Sequence, residues 1–300
     1  MWRDFDCANC WLTSSRNCST NDCRLGSCIY QRMSDQPALD GMPDKLFSCT
    51  PSRLETWLDC PKKYRYTYIE VPKPPRGGPW GHTSMGSAVH NALREWFTLP
   101  TAERTSERGA ELVVKHWRNE GFQDTEQSER YRFRAQNWVR TYLSGIDSTV
   151  EPRGLERTVS TTTDHLSLSG RVDRIDERDG ELVIVDYKTG KRPPDESEAG
   201  GSLALAIYAL AAQRTLRKVC RTVELHHLPS ETKAVYRHDE ASFARHINRA
   251  ERIAAEALAA TAADNFPATP GALCAYCDYA RICSDADRPP AQPWAGLDEN

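Results

Sequence analysis

The 300-residue sequence predicts an α/β fold in which a mixed central sheet is flanked by helices and follows a helical insertion. Two observations lead to this prediction. Helical spacing of apolar residues dominates residues 50–147, whereas strand-like alternation dominates residues 155–189 and 221–236. One helical pattern separates the two groups of strands and another follows the second group, which is typical of a mixed sheet covered by helices.

The composition excludes several classes of protein. No run of about 18 apolar residues is present, so no membrane span is predicted. The N-terminus lacks the continuous apolar stretch of a secretory signal, which favours a cytoplasmic location. The net charge of −3 excludes a uniformly basic surface, so contact with a polyanion requires a local basic patch.

The helical part begins at Thr50, where Thr50-Pro51 supplies an N-cap followed by proline at the first helical position. A Pro- and Gly-rich loop at Val71–Pro79 precedes a second helix at Thr83–Phe97. Two more helices are predicted between residues 101 and 147. Together these helices form the predicted insertion before the sheet.

The predicted strands are Leu155–Thr161, Ser167–Glu177, Glu181–Thr189, Arg221–Leu228 and Thr232–Tyr236. Asp179-Gly180 is a turn signal that joins the second and third strands into a β-hairpin. A polar loop at Lys191–Gly201 leads to a helix at Leu203–Leu216, and a long helix at Phe243–Ala263 follows the last strand.

The predicted hairpin carries the residues best suited to chemistry. Asp186 and Lys188 are two positions apart, so they project from the same face of their strand. Asp173 lies on the partner strand and is expected to converge on them. Carboxylates are the ligands that Mg²⁺ and Mn²⁺ take, and a nearby lysine can orient a water. The alternative is a solvated, salt-bridged rim, but the buried run Leu182–Val185 before Asp186 makes an unused charge there costly.

Basic and aromatic side chains alternate after the first helix, at Lys62, Lys63, Tyr64, Arg65, Tyr66 and Tyr68. Such a combination suits a nucleic-acid backbone and its bases. An amphipathic helix whose tyrosines simply pack explains the pattern equally well. Lys62, Lys63 and Arg65 are therefore candidate DNA-backbone contacts.

Three of the 11 cysteines, Cys274, Cys277 and Cys283, form a C-x2-C-x5-C motif near the C-terminus. A tetrahedral zinc site or a [4Fe–4S] cluster needs a fourth thiolate. Cys49, Cys60 and Cys220 are the available candidates, and Cys60 is favoured because Cys-Pro precedes a basic, aromatic turn. Such a site would join the two ends of the domain, and the spacing alone leaves zinc and iron–sulfur both open.

The chain divides into a leader at residues 1–46, a domain at residues 47–287 and a tail at residues 288–300 predicted to be disordered. The leader is rich in cysteine, and Cys7-x2-Cys10 could begin a zinc knuckle. No second closely spaced pair completes such a knuckle. The leader is therefore predicted to be a disordered extension.

Across residues 48–287 the sequence resembles the RecB-type nucleases of the PD-(D/E)XK superfamily. It is most similar to their iron–sulfur branch, which includes CRISPR-associated RecB-like exonucleases and the AddB nuclease domain. The motifs that carry this resemblance are His90 in GSAVH, Asp173 in GRVDRID, Asp186 and Lys188 in VDYKTGK, Cys60 in LDCPKKY, and the C-terminal cysteines. Taken alone, a single histidine on a helix is more often a core group than a ligand. The order and spacing of these motifs are specific when taken together, whereas each motif alone is weak evidence for the family.

The resemblance implies a restriction-endonuclease-like fold and an enzyme that cuts DNA from single-stranded ends with Mg²⁺ or Mn²⁺, in DNA repair or recombination. It implies that His90, Asp173, Asp186 and the Tyr187 carbonyl hold the metal and that Lys188 assists Asp173 and Asp186 in catalysis. It also implies a [4Fe–4S] cluster on the four cysteines Cys60, Cys274, Cys277 and Cys283. The chain has no G-x4-G-K-[ST] motif, so unwinding would require a helicase or repair partner.

One departure from the family pattern concerns a Q-x3-Y motif. Tyr208, a candidate DNA contact, is present, but Ala204 stands where the family has glutamine. Glu156 matches an acidic position often seen in the family and is interpreted as auxiliary. The missing glutamine leaves a second hypothesis, in which the chain is a non-catalytic DNA-end-binding or scaffold subunit.

Overall fold

The structure is a computed structural model that describes residues 46–291 and 293–297. Apart from Leu46, the predictions for the leader, including the Cys7–Cys10 knuckle, lie outside these residues. None of the described helices is long and apolar enough to cross a lipid bilayer.

The described strands form one mixed sheet, as predicted. Their bounds are β1 Phe47–Cys49, β2 Gly154–Thr162, β3 Leu166–Arg178, β4 Glu181–Lys188, β5 Cys220–His227 and β6 Thr232–Arg237. The strand order is β1-β3-β4-β5-β6, with β2 paired to β3. β3 pairs antiparallel with β2 and β4 and parallel with β1, and β4 pairs parallel with β5. The turn at Asp179-Gly180 is confirmed, since both residues have positive φ, 51° and 82°.

β3 is the longest strand, and it changes partners along one edge. β2 follows the edge from Ser167 to Ile175, while β1 pairs with Leu166–Leu168 and β4 with Arg174–Arg178 on the opposite edge. Among the described strands, residues 169–173 have no partner on that second edge. Asp173 lies at the end of this opening, where β4 begins to pair.

The helices are α1 Pro51–Asp59, α2 Pro61–Tyr64, α3 Gly81–Thr98, α4 Ser106–His116, α5 Thr125–Ser144, α6 Glu196–Gly201, α7 Leu203–Leu216 and α8 Glu240–Ala262. A π-helical turn at Arg65–Ile69 continues α2. The side chains of Thr50, Thr105, Asp124, Asp195, Ser202 and Asp239 accept hydrogen bonds from backbone N–H groups in the first turns of their helices. These caps satisfy donors that a helix start otherwise leaves unpaired.

The sheet lies between two groups of helices, and β4 shows how its sequence produces this arrangement. Val183, Val185 and Tyr187 pack against the helical insertion α3–α5. Leu182 and Ile184 point the other way, into a core with α7. This alternation follows from the two-residue period of a strand. It places Asp186 and Lys188 on the α7 side of the sheet.

A buried ion network, formed by Arg174, Asp176, Glu224 and His226 and reached by the exposed Arg178, lies on the side of the sheet that faces the insertion. Arg174 donates to Asp176 Oδ2 at 3.0 Å, and Arg178 donates to Asp176 Oδ2 at 2.8 Å and to Glu224 Oε1 at 2.6 Å. His226 bridges Glu224 Oε2 and the Tyr142 hydroxyl of α5, at 2.7 Å each. The network therefore links the insertion to β3 and β5.

The structure differs from the predicted elements in two places. The loop prediction at Lys191–Gly201 is wrong for its second half, because Glu196–Gly201 is helical. A capping box causes this, in which Asp195 and Glu198 bond each other's backbone N–H at 2.8 and 3.0 Å. β1 was not predicted, since a three-residue strand has too few positions to show a period.

The C-terminal segment contributes a core residue that the prediction of a disordered tail did not include. Trp294 is only 6% exposed and packs against Phe122 and Tyr131 of the insertion. Gln127 donates a hydrogen bond from Nε2 to the Trp294 carbonyl at 3.0 Å. The tail prediction is therefore wrong for residues 293–297.

Candidate active site and cysteine cavity

The separation of β4 from β3 creates the candidate active site. β4 pairs with β3 only as far as Val185 but stays paired with β5 to Lys188. Beyond Val185, the backbone N–H of Tyr187 donates instead to Oδ2 of Asp173, at 3.0 Å. The Asp173 carboxylate is thereby held beside the Tyr187 carbonyl at the end of the hairpin.

His90 reaches this point from α3. Its Nδ1 lies 3.2 Å from Asp173 Oδ2, and its Nε2 lies 3.1 Å from the Tyr187 carbonyl oxygen. Burial lowers the pKa of His90, but the hydrogen bond to Asp173 and the nearby carboxylates outweigh burial, so the pKa is raised. The structure thus brings together three groups predicted from sequence: His90, Asp173 and the Tyr187 carbonyl.

Glu156, which the sequence indicated as an auxiliary residue, lies directly beside His90 and Asp173. One ligand atom each from His90, Glu156 and Asp173 lies within 4.8 Å of the other two. Glu156 has a φ of 46°, a left-handed conformation that is uncommon for a non-glycine residue and often marks functional sites. Burial and the Asp173 charge raise the pKa of Glu156, and Arg171 pairs with it at 2.8 Å.

Asp186 and Lys188 project together, as their spacing predicts, with Nζ of Lys188 2.7 Å from Asp186 Oδ2. Burial raises the pKa of Asp186, with Lys188 opposing and Asp173 adding to the shift. Apart from this ion pair, Asp186 Oδ2 is buried and accepts no hydrogen bond of good geometry. Asp186 is not one of the three groups that lie within 4.8 Å of one another.

These donors fit a hard divalent cation. The carboxylates of Glu156 and Asp173 meet the His90 imidazole, with the Tyr187 carbonyl beside them and the Asp186 carboxylate nearby on β4. Oxygen-rich sets of this kind suit Mg²⁺ and Mn²⁺.

A groove of about 430 Å³ opens beside Asp186 and Lys188 on the α7 side. Tyr208 and Ala204 of α7 both line it, so the position of the missing glutamine faces the predicted site. Burial raises the pKa of Tyr208 to about 12, so its hydroxyl stays protonated at neutral pH. Gly170 is required beneath this ring, because a Cβ there would lie 2.2 Å from Tyr208.

Sequence reasoning missed Glu55 of α1, which lines the same groove. Partial burial and the Asp59 carboxylate raise its pKa, while Lys188 and Arg249 lower it. No local motif marks Glu55, since its position depends on α1 packing against α7 and α8. Its 131-residue separation from Asp186 along the sequence hides the contact.

The four cysteines singled out from the sequence, Cys60, Cys274, Cys277 and Cys283, line one cavity of about 50 Å³. The backbone N–H of Thr269 donates to the Cys60 sulfur at 3.4 Å. Among the described residues, no three of these sulfurs lie within 4.8 Å of one another. A tetrahedral zinc with Zn–S bonds of about 2.3 Å requires S···S distances of about 3.8 Å.

The other two candidate thiols belong to the hydrophobic core. Cys49 packs with α1 and α8, and Cys220 packs with α7. Burial raises the pKa of Cys49 to about 11 and that of Cys220 to about 12, so both stay protonated. Neither lines the cavity of the other four cysteines.

The predicted basic segment is engaged with acidic partners. Lys62 forms an ion pair with Asp285, Lys63 pairs with Asp59 at 2.9 Å, and Arg65 pairs with Glu70 at 2.7 Å and with Asp264 at 3.2 Å. A phosphate would have to displace these carboxylates, so the three DNA contacts stay a prediction.

The tyrosines of the same segment pack. Tyr64 contacts Trp57 and Tyr68, and Tyr66 contacts Tyr279. The packing interpretation is therefore correct for these rings.

Comparison with known proteins gives one family and several relatives. Residues 48–284 match the family model described as the PD-(D/E)XK nuclease superfamily. One subunit of the ATP-dependent helicase/deoxyribonuclease of Lachnoclostridium phytofermentans is 28% identical over 166 residues, which are 47% of this chain and 14% of that protein. The chain therefore spans only a small part of this relative's length.

Two solved structures are also similar. A protein from Eubacterium rectale described as "Putative exonuclease" aligns with a TM-score of 0.46 and 8% identity, over 80% of this chain and 89% of that chain. A protein described as SSO0001 aligns with a TM-score of 0.37 and 12% identity, over 85% of this chain and 91% of that chain.

Proposed function

The chain belongs to the PD-(D/E)XK nuclease superfamily, and we propose that it is a Mg²⁺- or Mn²⁺-dependent deoxyribonuclease that hydrolyses phosphodiester bonds from single-stranded ends. The observation that carries this proposal is the convergence of His90, Glu156 and Asp173 beside the Asp186–Lys188 pair, where β4 leaves β3. A site of this composition can bind a hard cation and the phosphate of a nucleic acid.

His90, Asp173, Asp186 and the Tyr187 carbonyl would hold the metal, with Glu156 as a further carboxylate. When bound, the metal lowers the pKa of a water and polarises the scissile phosphate. Lys188 orients the attacking water and offsets the negative charge that develops on the phosphate oxygens. Asp186 fixes the Lys188 ammonium for this role through their 2.7 Å contact.

Substitution of Asp186 and of Lys188 by alanine tests this proposal. We expect Asp186→Ala and Lys188→Ala to abolish degradation of labelled single-stranded DNA with either metal while the circular dichroism spectrum stays unchanged. Lys115→Gln is a control, because Lys115 pairs with Glu95 at 2.6 Å and does not line the groove. Wild-type rates in both alanine variants would overturn the site assignment.

We also propose that Cys60, Cys274, Cys277 and Cys283 hold a [4Fe–4S] cluster. Support comes from the cavity that all four cysteines line, although Cys60 is far from the other three in the sequence. Protein purified without oxygen should be brown and contain about four irons per chain. A colourless protein with one zinc would overturn this assignment.

A helicase partner is proposed because the relative that shares 166 residues is named as part of a helicase/deoxyribonuclease. The chain itself has no G-x4-G-K-[ST] motif. We place the joint activity in DNA repair or recombination. Slow digestion of blunt duplex DNA, accelerated by an added helicase of that type, would support this arrangement.

A second candidate function is a DNA-end-binding or scaffold subunit that does not cut. Ala204 favours it, because the groove lacks the glutamine side chain that the family carries there. The retained Asp173, Asp186 and Lys188 favour catalysis. Metal-dependent release of nucleotides from single-stranded DNA separates the two functions.

A further inference from the structure

Two exposed arginines on α8, Arg245 and Arg249, stand out from the other basic residues near the groove. They are four positions apart, so they lie on one side of the helix about 6 Å from each other along its axis. Neither forms a hydrogen bond or an ion pair with the described residues, whereas Lys188 pairs with Asp186 and Arg192 pairs with Glu198.

Contacts on the neighbouring residues place this turn of α8 beside the groove. His246, which lies between the two arginines, donates from Nε2 to the Gly200 carbonyl at 3.0 Å. Gly200 belongs to α6, and the α6–α7 junction supplies Glu198, Ser202 and Ala204 to the groove wall. Arg245 and Arg249 are therefore at the edge where α6 and α7 meet.

The opposite wall of the groove leads to Arg249. Glu55 of α1 lines the groove, and its carboxylate is influenced by the charges of Asp186, Lys188 and Arg249. α1 also contacts α8 through Trp57, whose Nε1 donates to Glu256 at 3.4 Å. The metal-binding carboxylates make the centre of the site negative, so an approaching phosphate backbone needs cations at the rim.

We propose that Arg245 and Arg249 bind successive phosphates of the DNA strand that enters the groove. Their spacing along α8 is close to the distance between neighbouring phosphates in an extended single strand. Guanidinium groups bind phosphate oxygens through two parallel hydrogen bonds, and these two groups are not occupied by carboxylates. The two arginines would position the DNA strand, a role that Ala204 cannot perform in place of the family glutamine. This inference rests on the proposed nuclease function.

The test is the salt dependence of DNA binding. Fluorescence anisotropy of a labelled single-stranded oligonucleotide, measured with EDTA so that nothing is cut, gives the affinity at several salt concentrations. The slope of log K against log salt is negative. For Arg245→Gln/Arg249→Gln we expect its magnitude to decrease by about 0.7 per lost contact, or about 1.4 in total. At about 0.1 M salt this corresponds to roughly 25-fold weaker binding.

Arg130→Gln/Arg132→Gln is the matched control. It removes the same charge from helix α5 of the insertion, and neither residue lines the groove. We expect its slope to equal that of the wild type. Equal affinities and slopes for the α8 variant and the control would overturn the inference.

A second measurement separates positioning from catalysis. Hydrolysis of bis(p-nitrophenyl) phosphate should be unchanged in the α8 variant, because this small diester does not extend to α8, whereas KM for an oligonucleotide should rise. Loss of both activities would overturn the inference, since it would mean damage to the site. If the wild type neither binds nor cuts DNA, the proposed function itself fails, and this inference fails with it.

Discussion

Asp173 and Arg174 are neighbours in β3, yet they belong to two clusters of charged residues that differ in net charge. The cluster around Asp173 contains the carboxylates of Glu156, Asp173 and Asp186, with Arg171 and Lys188 as paired cations. His90 is neutral when it ligates a metal, and the cluster then holds one more negative than positive charge.

The buried ion network on the other side of the sheet is balanced by the protein itself. Arg174 and Arg178 face Asp176 and Glu224, and His226 links Glu224 to Tyr142. The Asp176 side chain is 4% exposed, compared with 16% for Asp173 and 20% for Asp186. Pairing within the chain indicates a structural role, whereas surplus charge at an accessible edge indicates a site for an external cation.

The largest expected effect separates activity from stability. Asp173→Asn should reduce DNA cleavage by about 10³-fold, or roughly 4 kcal/mol of transition-state stabilisation, because it removes a proposed metal ligand. Its melting temperature should not fall, because neutralising one of three neighbouring carboxylates relieves the repulsion between them. Initial rates with Mg²⁺ and calorimetry measure the two quantities, and a marked fall in melting temperature would contradict the contrast.

Glu224→Gln should show the opposite pattern, with a loss of about 3 kcal/mol of folding stability and cleavage retained below the melting temperature. Burial raises the pKa of Glu224, but bonds from His226 and Arg178 outweigh it and lower the pKa to about 2. Because the folded-state pKa lies below the unfolded value, this stability is present above about pH 4.5 and is lost as the pH falls toward 2.

Urea titrations across that pH range check the Glu224 prediction. The wild type should lose stability below about pH 4.5, and Glu224→Gln should lose less. Parallel pH profiles for the two proteins would mean that Glu224 has no such role.

The smallest expected effect is stabilisation by the metal. Mn²⁺ at about ten times its dissociation constant should stabilise the wild type by roughly 1.4 kcal/mol, or about 4 °C. Asp173→Asn should lose this shift, whereas Glu224→Gln should keep it relative to its own lower melting temperature. A shift of equal size in all three proteins would show that the ion binds elsewhere.

The sequence predicted part of the first cluster and none of the second. Asp186 and Lys188 are found together because strand period alone determines their relation, and the turn at Asp179-Gly180 fixes the hairpin. The ion network was not predicted, because Arg174 and Glu224 look like ordinary solvent-facing charges in their strands. Their pairing depends on three strands and a helix coming together.

The same limit applies to the rest of the site. Family motifs identified His90 although it is distant in sequence, but Glu55, Arg245 and Arg249 match no motif. Their positions follow from how α1 and α8 pack against each other, and local patterns do not encode that contact. The helix at Glu196–Gly201 could have been predicted, since Asp195 and Glu198 form a recognisable capping box.

The packing of α1 has a consequence for synthesis of the protein. Leu54 and Trp57 are buried in a core that includes Phe266, and Trp57 contacts the Phe266 ring. Phe266 lies 209 positions after Trp57 in the sequence, so a ribosome working at about 5–20 residues per second needs roughly 10–40 s to reach it. During that interval the core around Leu54 and Trp57 stays incomplete, and the growing chain keeps apolar surface exposed.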